Sequence, residues 1–298
     1  MVAQGSPAGR RAAARSIRWQ RLPNLLWRAL IYALLIVGCV FVMIPLAWMI
    51  STALKESRYV FVFPPQWIPT PAQWANFPLA LTRLPFALYF RNTMIIACIS
   101  MAAAVTSSAI VAYGFARLDF PWRDALFLLM LSTLMIPGHV TLVPRYILFS
   151  KAGLVDTFVP LIIQAFFGSP IYIFLLRQFI LTIPAEMDEA ALIDGCTKWG
   201  ILWRIILPQA KAALGIVAIF SFLYHWDEFL GPLIYLNSPD KRTLALGLSA
   251  FRASEGGVQP AWNLLMAASL VVMLPPITIF FFAQRYFIQG IVFTGVKG

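Results

Sequence analysis

Four stretches of this chain, 29–54, 92–116, 125–144 and 157–177, run for about twenty residues or more without an internal Asp, Glu, Lys or Arg, the last ending on Arg177. A helix needs about 20 apolar residues to cross a roughly 30 Å hydrocarbon core. Two further stretches come close: 212–236 is interrupted by Asp227 and Glu228, and 262–288 is charge-free until Arg285. Backbone polar groups in lipid must be satisfied within the chain, so such runs specify helices. The expectation is an all-α polytopic membrane protein of six transmembrane helices. Composition closes the alternatives: 60% of residues are hydrophobic and 12% charged, against about 25% charged in soluble domains. A soluble globule would lack the polar residues to cover such a core, which excludes a water-soluble enzyme and a disordered chain.

The net charge of +11 is concentrated in an acid-free segment holding Arg10, Arg11, Arg15, Arg18, Arg21 and Arg28. With no aromatic platform beside it, this excess reads as a topology signal rather than a nucleic-acid surface. An even number of spans puts both termini on one side. With that side cytoplasmic, the six tail arginines join Arg117, Arg123, Arg177, Lys198, Arg204, Lys211, Arg285 and Lys297 there, fourteen of the 23 basic residues. The chain therefore divides into a basic cytoplasmic tail, 1–28, and a transmembrane domain, 29–298. Ile36-Val37-Gly38-Cys39 resembles a lipoprotein cleavage site, but the apolar run continues to Ile50, beyond the 7–15 residues of a signal h-region.

Small residues Ala97, Ser100, Ala104, Ser107 and Gly114 recur on the second span at spacings that admit a neighbouring backbone. Two outer segments stand apart. Residues 55–91 are rich in proline with Trp67 and Trp74, an aromatic cap at the outer interface; 237–261, with Gly256 and Gly257, is a contact candidate for an external partner. Three cysteines form no disulfide framework, and His139 and His225 are too few and too far apart for a metal site. No nucleophile–base constellation appears, so no catalytic residue is assigned.

The segment 182–211, between spans four and five, is the most patterned. Pro184 suits a first helical turn, and Glu186, Asp188 and Glu189 follow it where carboxylates favour the helix dipole. Ala190 and Ala191 keep this helix slim, Asp194 closes it, and Gly195 allows the left-handed turn beyond. A second stretch from Thr197 runs to Leu207 and Pro208, where the fifth span starts. The result is a helix-turn-helix on the inner membrane surface, slender enough to enter a groove of another protein. Its acids disfavour a lipid-resting role, for which Lys and Arg are the usual residues.

Glu189-Ala190-Ala191, Gly195 four residues on, and Ile205-x-Leu207-Pro208 after nine more resemble the EAA loop of binding-protein-dependent ABC importer permeases. The carbohydrate, MalG-like branch is further resembled by Tyr113-Gly-Phe-Ala-Arg117-Leu118, Ile136-Pro137, Trp226-Asp227-Glu228-Phe229 and the ending Gly295-Val-Lys-Gly298. The resemblance implies a type I importer permease fold whose coupling helices, carrying Glu186, Glu189, Ala190, Ala191, Asp194, Gly195, Leu207 and Pro208, dock into a cytoplasmic ATPase. It implies as partners a second homologous permease subunit, two ATPase subunits and an extracytoplasmic solute-binding protein, in a prokaryotic cytoplasmic membrane. This chain has no G-x-x-x-x-G-K-[ST] phosphate loop, so no cofactor is expected on it and ATP with Mg belongs to the ATPase.

Asp227 and Glu228 are costly within a bilayer, by at least about 2.5 kcal/mol each, and should face a pathway or a partner. Tyr224, His225 and Trp226 beside them combine aromatic faces with hydrogen-bonding groups, and Gln164 and Arg177 are weaker pathway candidates. Structural pairing or gating is favoured over direct solute contact. Two competing functions remain to be weighed. An ion- or proton-coupled secondary transporter would titrate Asp227 or Glu228 but has no use for the patterned loop; an intramembrane enzyme would need paired groups, and these two point about 100° apart on a helix.

Overall fold

A computed structural model describes side chains for residues 27–252 and 260–284, with helical backbone extending back to Pro7 and on to Gly295. The side chains of the five tail arginines from Arg10 to Arg21, the loop glycines Gly256 and Gly257, and the C-terminal Arg285 and Gly295-Val-Lys-Gly298 lie outside the described side chains. The described elements are helical: α1 (Pro7–Ala53), α2 (Asn76–Arg83), α3 (Phe86–Arg117), α4 (Arg123–Ser132), α5 (Leu142–Lys151), α6 (Val159–Ile162) and α7 (Pro170–Leu181). There follow α8 (Glu186–Ile193), α9 (Lys198–Ile201), α10 (Leu207–Gln209), α11 (Lys211–Asp227), α12 (Leu230–Tyr235), α13 (Leu244–Ser249) and α14 (Trp262–Gly295).

By length and composition, four described helical stretches can cross a membrane: Trp27–Ala53, Phe86–Arg117, Val159–Leu181 and Trp262–Gln284. The bent pair Lys198–Gln209 and Lys211–Asp227 makes a fifth if counted as one span. Three of the expected spans differ from uninterrupted helices. Residues 125–144 divide into α4, a 3₁₀ turn at Thr133–Met135 and a turn before α5, with Ile136 extended at φ −82°, ψ 115°. Pro137 is the cause, since the residue before a proline is driven out of the α region. Residues 157–177 break at Gly168, at φ 77°, ahead of Pro170. Residues 212–236 break at Glu228, extended at φ −64°, ψ 124°, between α11 and α12. The helix α1 begins at Pro7, within the basic segment.

The long α3 is central, packed on α11 and α7, while α14 packs on α1, α2 and α11. Tyr113 of α3, Leu176 and Ile180 of α7 and Val217 of α11 form one buried cluster, with Ala109 and Ala112 keeping the helices close. Apolar α1 side chains such as Leu34, Val37 and Phe41 are exposed, as suits lipid or another membrane subunit. Asn76 fastens the end of α1 by donating to the carbonyls of Ala53 and Lys55, both at 2.8 Å.

The segment that follows α12 is pinned by Asp156, whose own φ is 63°. Its carboxylate accepts from the Ser238 hydroxyl at 2.5 Å, from the Asn237 and Ser238 N–H groups at 2.9 Å, and from the Lys241 ammonium at 3.0 Å. Asn92 of α3 adds donations to the carbonyls of Asp240 and Arg242 at 2.8 and 3.0 Å. The Ser238 hydroxyl and backbone bonds, then the Lys241 bond, hold the Asp156 carboxyl well below the usual carboxylate range. A depressed acid stabilises the fold above its unfolded pKa and loses that contribution as pH falls through the folded value. Asp156→Ala is therefore expected to raise amide exchange at Asn237 and Ser238 on the order of tenfold at neutral pH. In the native chain, hydrogen–deuterium exchange should find this protection intact through the ordinary carboxylate range and lost only below it.

Candidate functional site

The patterned segment folds into the expected helical hairpin, and its turn follows from local backbone chemistry. At the end of α8, Gly195 N–H donates to the Leu192 carbonyl at 3.0 Å and Cys196 N–H to the Ala191 carbonyl at 2.9 Å, a Schellman closure that places Gly195 at φ 81°. The Thr197 hydroxyl then accepts from Gly200 N–H at 3.1 Å and caps α9. After a π turn at Leu202–Ile206, the chain passes Pro208 and bends by 81° into α11, which starts at Lys211 rather than at Pro208. Proline lacks the N–H that a continuous helix would use, so the elbow is built into the sequence.

Alpha-helical spacing gives α8 two faces. Glu186, Glu189, Ala190 and Ile193 are exposed, Ile193 at 86%, while Ala191 is buried and Asp188 half-buried. Spacings of three and four residues put the first group on one stripe. Asp194 and Gly195 are exposed at its tip, and Pro208 is exposed in α10. Ala191 and Leu207 instead pack into the bundle core with Ile201, Leu202 and Ile206, so these two motif positions hold the hairpin in place. Exposed Leu192, Trp199 and Trp203 extend the apolar surface beside the acids; the sequence reading missed Ile193 and both tryptophans, though such large apolar residues in an acidic loop were a visible signal.

Polar bonds fasten the hairpin to α3. The Tyr113 hydroxyl donates to the Lys198 carbonyl at 3.1 Å, and an Arg117 Nη2 donates to the Ile183 carbonyl at 2.6 Å. Arg117 also meets Asp188 in an ion pair at 2.9 Å, the two side chains being 11% and 14% exposed. Burial pushes the Asp188 carboxyl above the usual range, with Arg117 pulling in the opposite direction. Arg177 is likewise engaged inside the bundle, donating to the Phe115 carbonyl at 3.2 Å and resting 4.3 Å over the Phe127 ring.

The helix breaks converge on a cleft of about 320 Å³. Gln164, Tyr224, His225 and Glu228 line it, together with Arg145 and His139. A second cavity of about 430 Å³, beside the Gly168 break, shares Gln164, Tyr224 and His225 with the first. These three residues thus form a waist shared by the two cavities. Tyr224 is 64% exposed in this chain, and His225 Nδ1 is paired with the Ser221 carbonyl at 2.7 Å. Two sequence candidates lie elsewhere. Trp226 is 1% exposed, donates from Nε1 to the Val272 carbonyl at 3.3 Å and stacks on Phe222, so it is a core residue. Asp227 is exposed at the end of α11 and does not line the cleft.

Arg145 is the functional candidate that sequence reasoning missed. Its guanidinium donates to Gln164 Oε1 at 2.5 Å and to the carbonyls of Thr141 and Gly138 at 3.3 Å each. Among the described residues, no group of three His, Cys, Asp or Glu side chains is arranged to hold a metal ion.

Both the hairpin and the cleft fall within residues 104–292, which match the family described as binding-protein-dependent transport system inner membrane component. The chain is 34% identical over 259 residues to the probable ABC transporter permease protein YurM of Bacillus subtilis, covering 85% of this chain and 83% of that one. It is 38% identical over 210 residues to the arabinooligosaccharides transport system permease protein AraQ of Halalkalibacterium halodurans, covering 70% and 74%. It is 30% identical over 267 residues to the sn-glycerol-3-phosphate transport system permease protein UgpE of Yersinia pestis, covering 88% and 94%. In fold it matches a chain of a bacterial ABC transporter involved in import of the acidic polysaccharide alginate, with TM-score 0.76 and 17% identity, over 96% of this chain and all of that one. The match extends to the same kind of transporter crystallised with an alginate pentasaccharide-bound periplasmic protein, at TM-score 0.58 and 15% identity, over 86% and 93% of the chains. The family match over residues 104–292 and the relatives aligned over most of the chain place this protein in the binding-protein-dependent transport system inner membrane component family, as an ABC transporter permease, a membrane subunit rather than a catalytic enzyme.

Proposed function

We propose that this chain is one half of the translocation path of an ATP-driven importer for a sugar or sugar-like solute. The observation that carries the reading is the exposed stripe Glu186, Glu189, Ala190 and Ile193 on a hairpin whose opposite face is fixed in the bundle core. In this reading the hairpin lies in the cytoplasm and enters a cleft of one of two ATPase subunits, which bind the ATP and Mg. ATPase closure moves the hairpin, and the 81° elbow passes that movement to α11 and the cleft. A second homologous permease completes the path, and an extracytoplasmic binding protein delivers solute to it. Both termini are cytoplasmic. The sugar class rests on the names of relatives that carry arabinooligosaccharides and glycerol phosphate, and on the aromatic and hydrogen-bonding groups at the waist. The ion-coupled alternative leaves the hairpin's exposed face without a role.

Reconstituted with the proteins that co-purify with it in mild detergent, the chain should support sugar uptake that needs ATP and survives a protonophore. Uptake that ignores ATP and collapses with the proton gradient would overturn the proposal, as would a purified chain that brings no ATPase with it.

A further inference from the structure

Arg145 and Glu228 both line the cleft, and each is packed against its neighbours. Arg145 uses its Nε and both terminal nitrogens on Thr141, Gly138 and Gln164, at 3.3, 3.3 and 2.5 Å. Those bonds fasten the 136–141 turn to the turn at Ile163–Phe167. A guanidinium has five N–H groups, so it retains donors for a ligand while its position is fixed. Glu228 sits at the break between α11 and α12, its carboxylate so close to Gly231 that a Cβ there would collide with it and with Leu161. Arg145, Tyr224, Glu228 and Tyr235 all line this one cleft.

We infer that this chain holds its own solute subsite, at Arg145, Gln164, Tyr224 and Glu228, and that the site selects uncharged polyhydroxylated rings against anionic and cationic sugars of the same size. This rests on the proposed sugar importer and adds to it the location and charge of the ligand. A hydroxyl both donates and accepts, so a sugar diol can accept from the remaining Arg145 N–H groups and donate to Glu228. Tyr224 offers an exposed ring face beside them. An anionic sugar would leave the cleft with net negative charge beside Glu228, which one guanidinium cannot offset for two carboxylates at once. An amino sugar meets the converse imbalance at Arg145. At low effective dielectric either mismatch outweighs one added hydrogen bond.

The test uses the intact permease–ATPase complex in nanodiscs without its binding protein. Three ligands of one shape serve as probes at pH 6.5: methyl glucoside, methyl glucuronide and methyl glucosaminide. Binding in the millimolar range is read by saturation-transfer-difference NMR. The native complex should favour the glucoside by about tenfold over either charged form. Glu228→Gln should raise glucuronide binding about tenfold, and Arg145→Gln should raise glucosaminide binding instead. Opposite shifts from the two variants cannot come from a common folding defect, and retention of the ATPase checks the fold of each. The inference falls if the native complex takes the glucuronide as well as the glucoside, or if both variants shift the three probes alike. Where ATP-driven uptake of neutral sugar stands while these shifts fail, the subsite alone is overturned; where no sugar binds or is transported, the importer reading falls with it.

Discussion

Replacing Gly195 with valine is expected to abolish ATP-driven uptake while leaving the chain in the membrane. The reason is backbone conformation alone. Gly195 sits at φ 81°, and a Cβ built there meets no atom within 4 Å. Crowding therefore costs nothing, whereas an L-residue in the left-handed region costs roughly 1–2 kcal/mol, most for a β-branched one. That cost is comparable to the net worth of the two Schellman bonds at Leu192 and Ala191, about 0.5–1.5 kcal/mol each, so the turn opens readily and α8 loses its fixed angle to α9. The membrane bundle is untouched, because Gly195 makes no part of its core. Asparagine tolerates this region and should keep most of the uptake, with alanine between the two. Uptake and ATPase co-purification measured across the asparagine, alanine and valine series would check the order. Equal activity for valine and asparagine would show that the turn angle does not carry the coupling.

Gly195 was legible from sequence because a glycine after an acidic-start helix has a short-range cause and effect. The long spans were legible for a similar reason: apolarity over twenty residues reports depth in a bilayer. It does not report helix continuity, which is why the charge-free run 125–144 concealed the break that Pro137 imposes. Drawing a helix through residue 144 made Arg145 a flanking charge. With the turn in place it reaches Gln164, 19 residues along the chain, and joins the cleft. The phase of α11 was hidden for another reason. Tyr224 and Trp226 have comparable sequence signals, yet Val272 on α14 and the Phe222 ring take Trp226 into the core and leave Tyr224 on the cleft. Only the packing of a distant helix decides between them. The Tyr113 to Arg117 stretch was noticed as a resemblance, but its work of fastening the hairpin depends on Lys198, Ile183 and Asp188, all more than sixty residues later.

That fastening yields the second large effect, because Arg117→Ala leaves the Asp188 carboxylate half-buried without its counter-charge. In the described structure Asp188 Oδ1 already lacks a hydrogen-bond partner, so nothing nearby replaces the guanidinium. Breaking a largely buried pair from one side costs about 3 kcal/mol, and the Ile183 carbonyl also loses its donor. The thermal midpoint of the purified complex should fall by roughly 5–10 °C. Burial already raises the Asp188 carboxyl in the native chain, and removing Arg117 raises it further. An acid whose folded pKa lies above its unfolded value stabilises the fold below the unfolded pKa, and loses that contribution as pH rises through the folded one. The Arg117→Ala defect should therefore be largest at neutral pH and shrink on acidification. Adding Asp188→Asn removes the stranded charge and should recover most of the lost midpoint, without restoring the link between α3 and the hairpin. The double variant is then expected to be stable yet weakly coupled, hydrolysing ATP with little uptake. A double variant as thermally labile as Arg117→Ala would place the defect in lost packing of the arginine stem rather than in the stranded carboxylate.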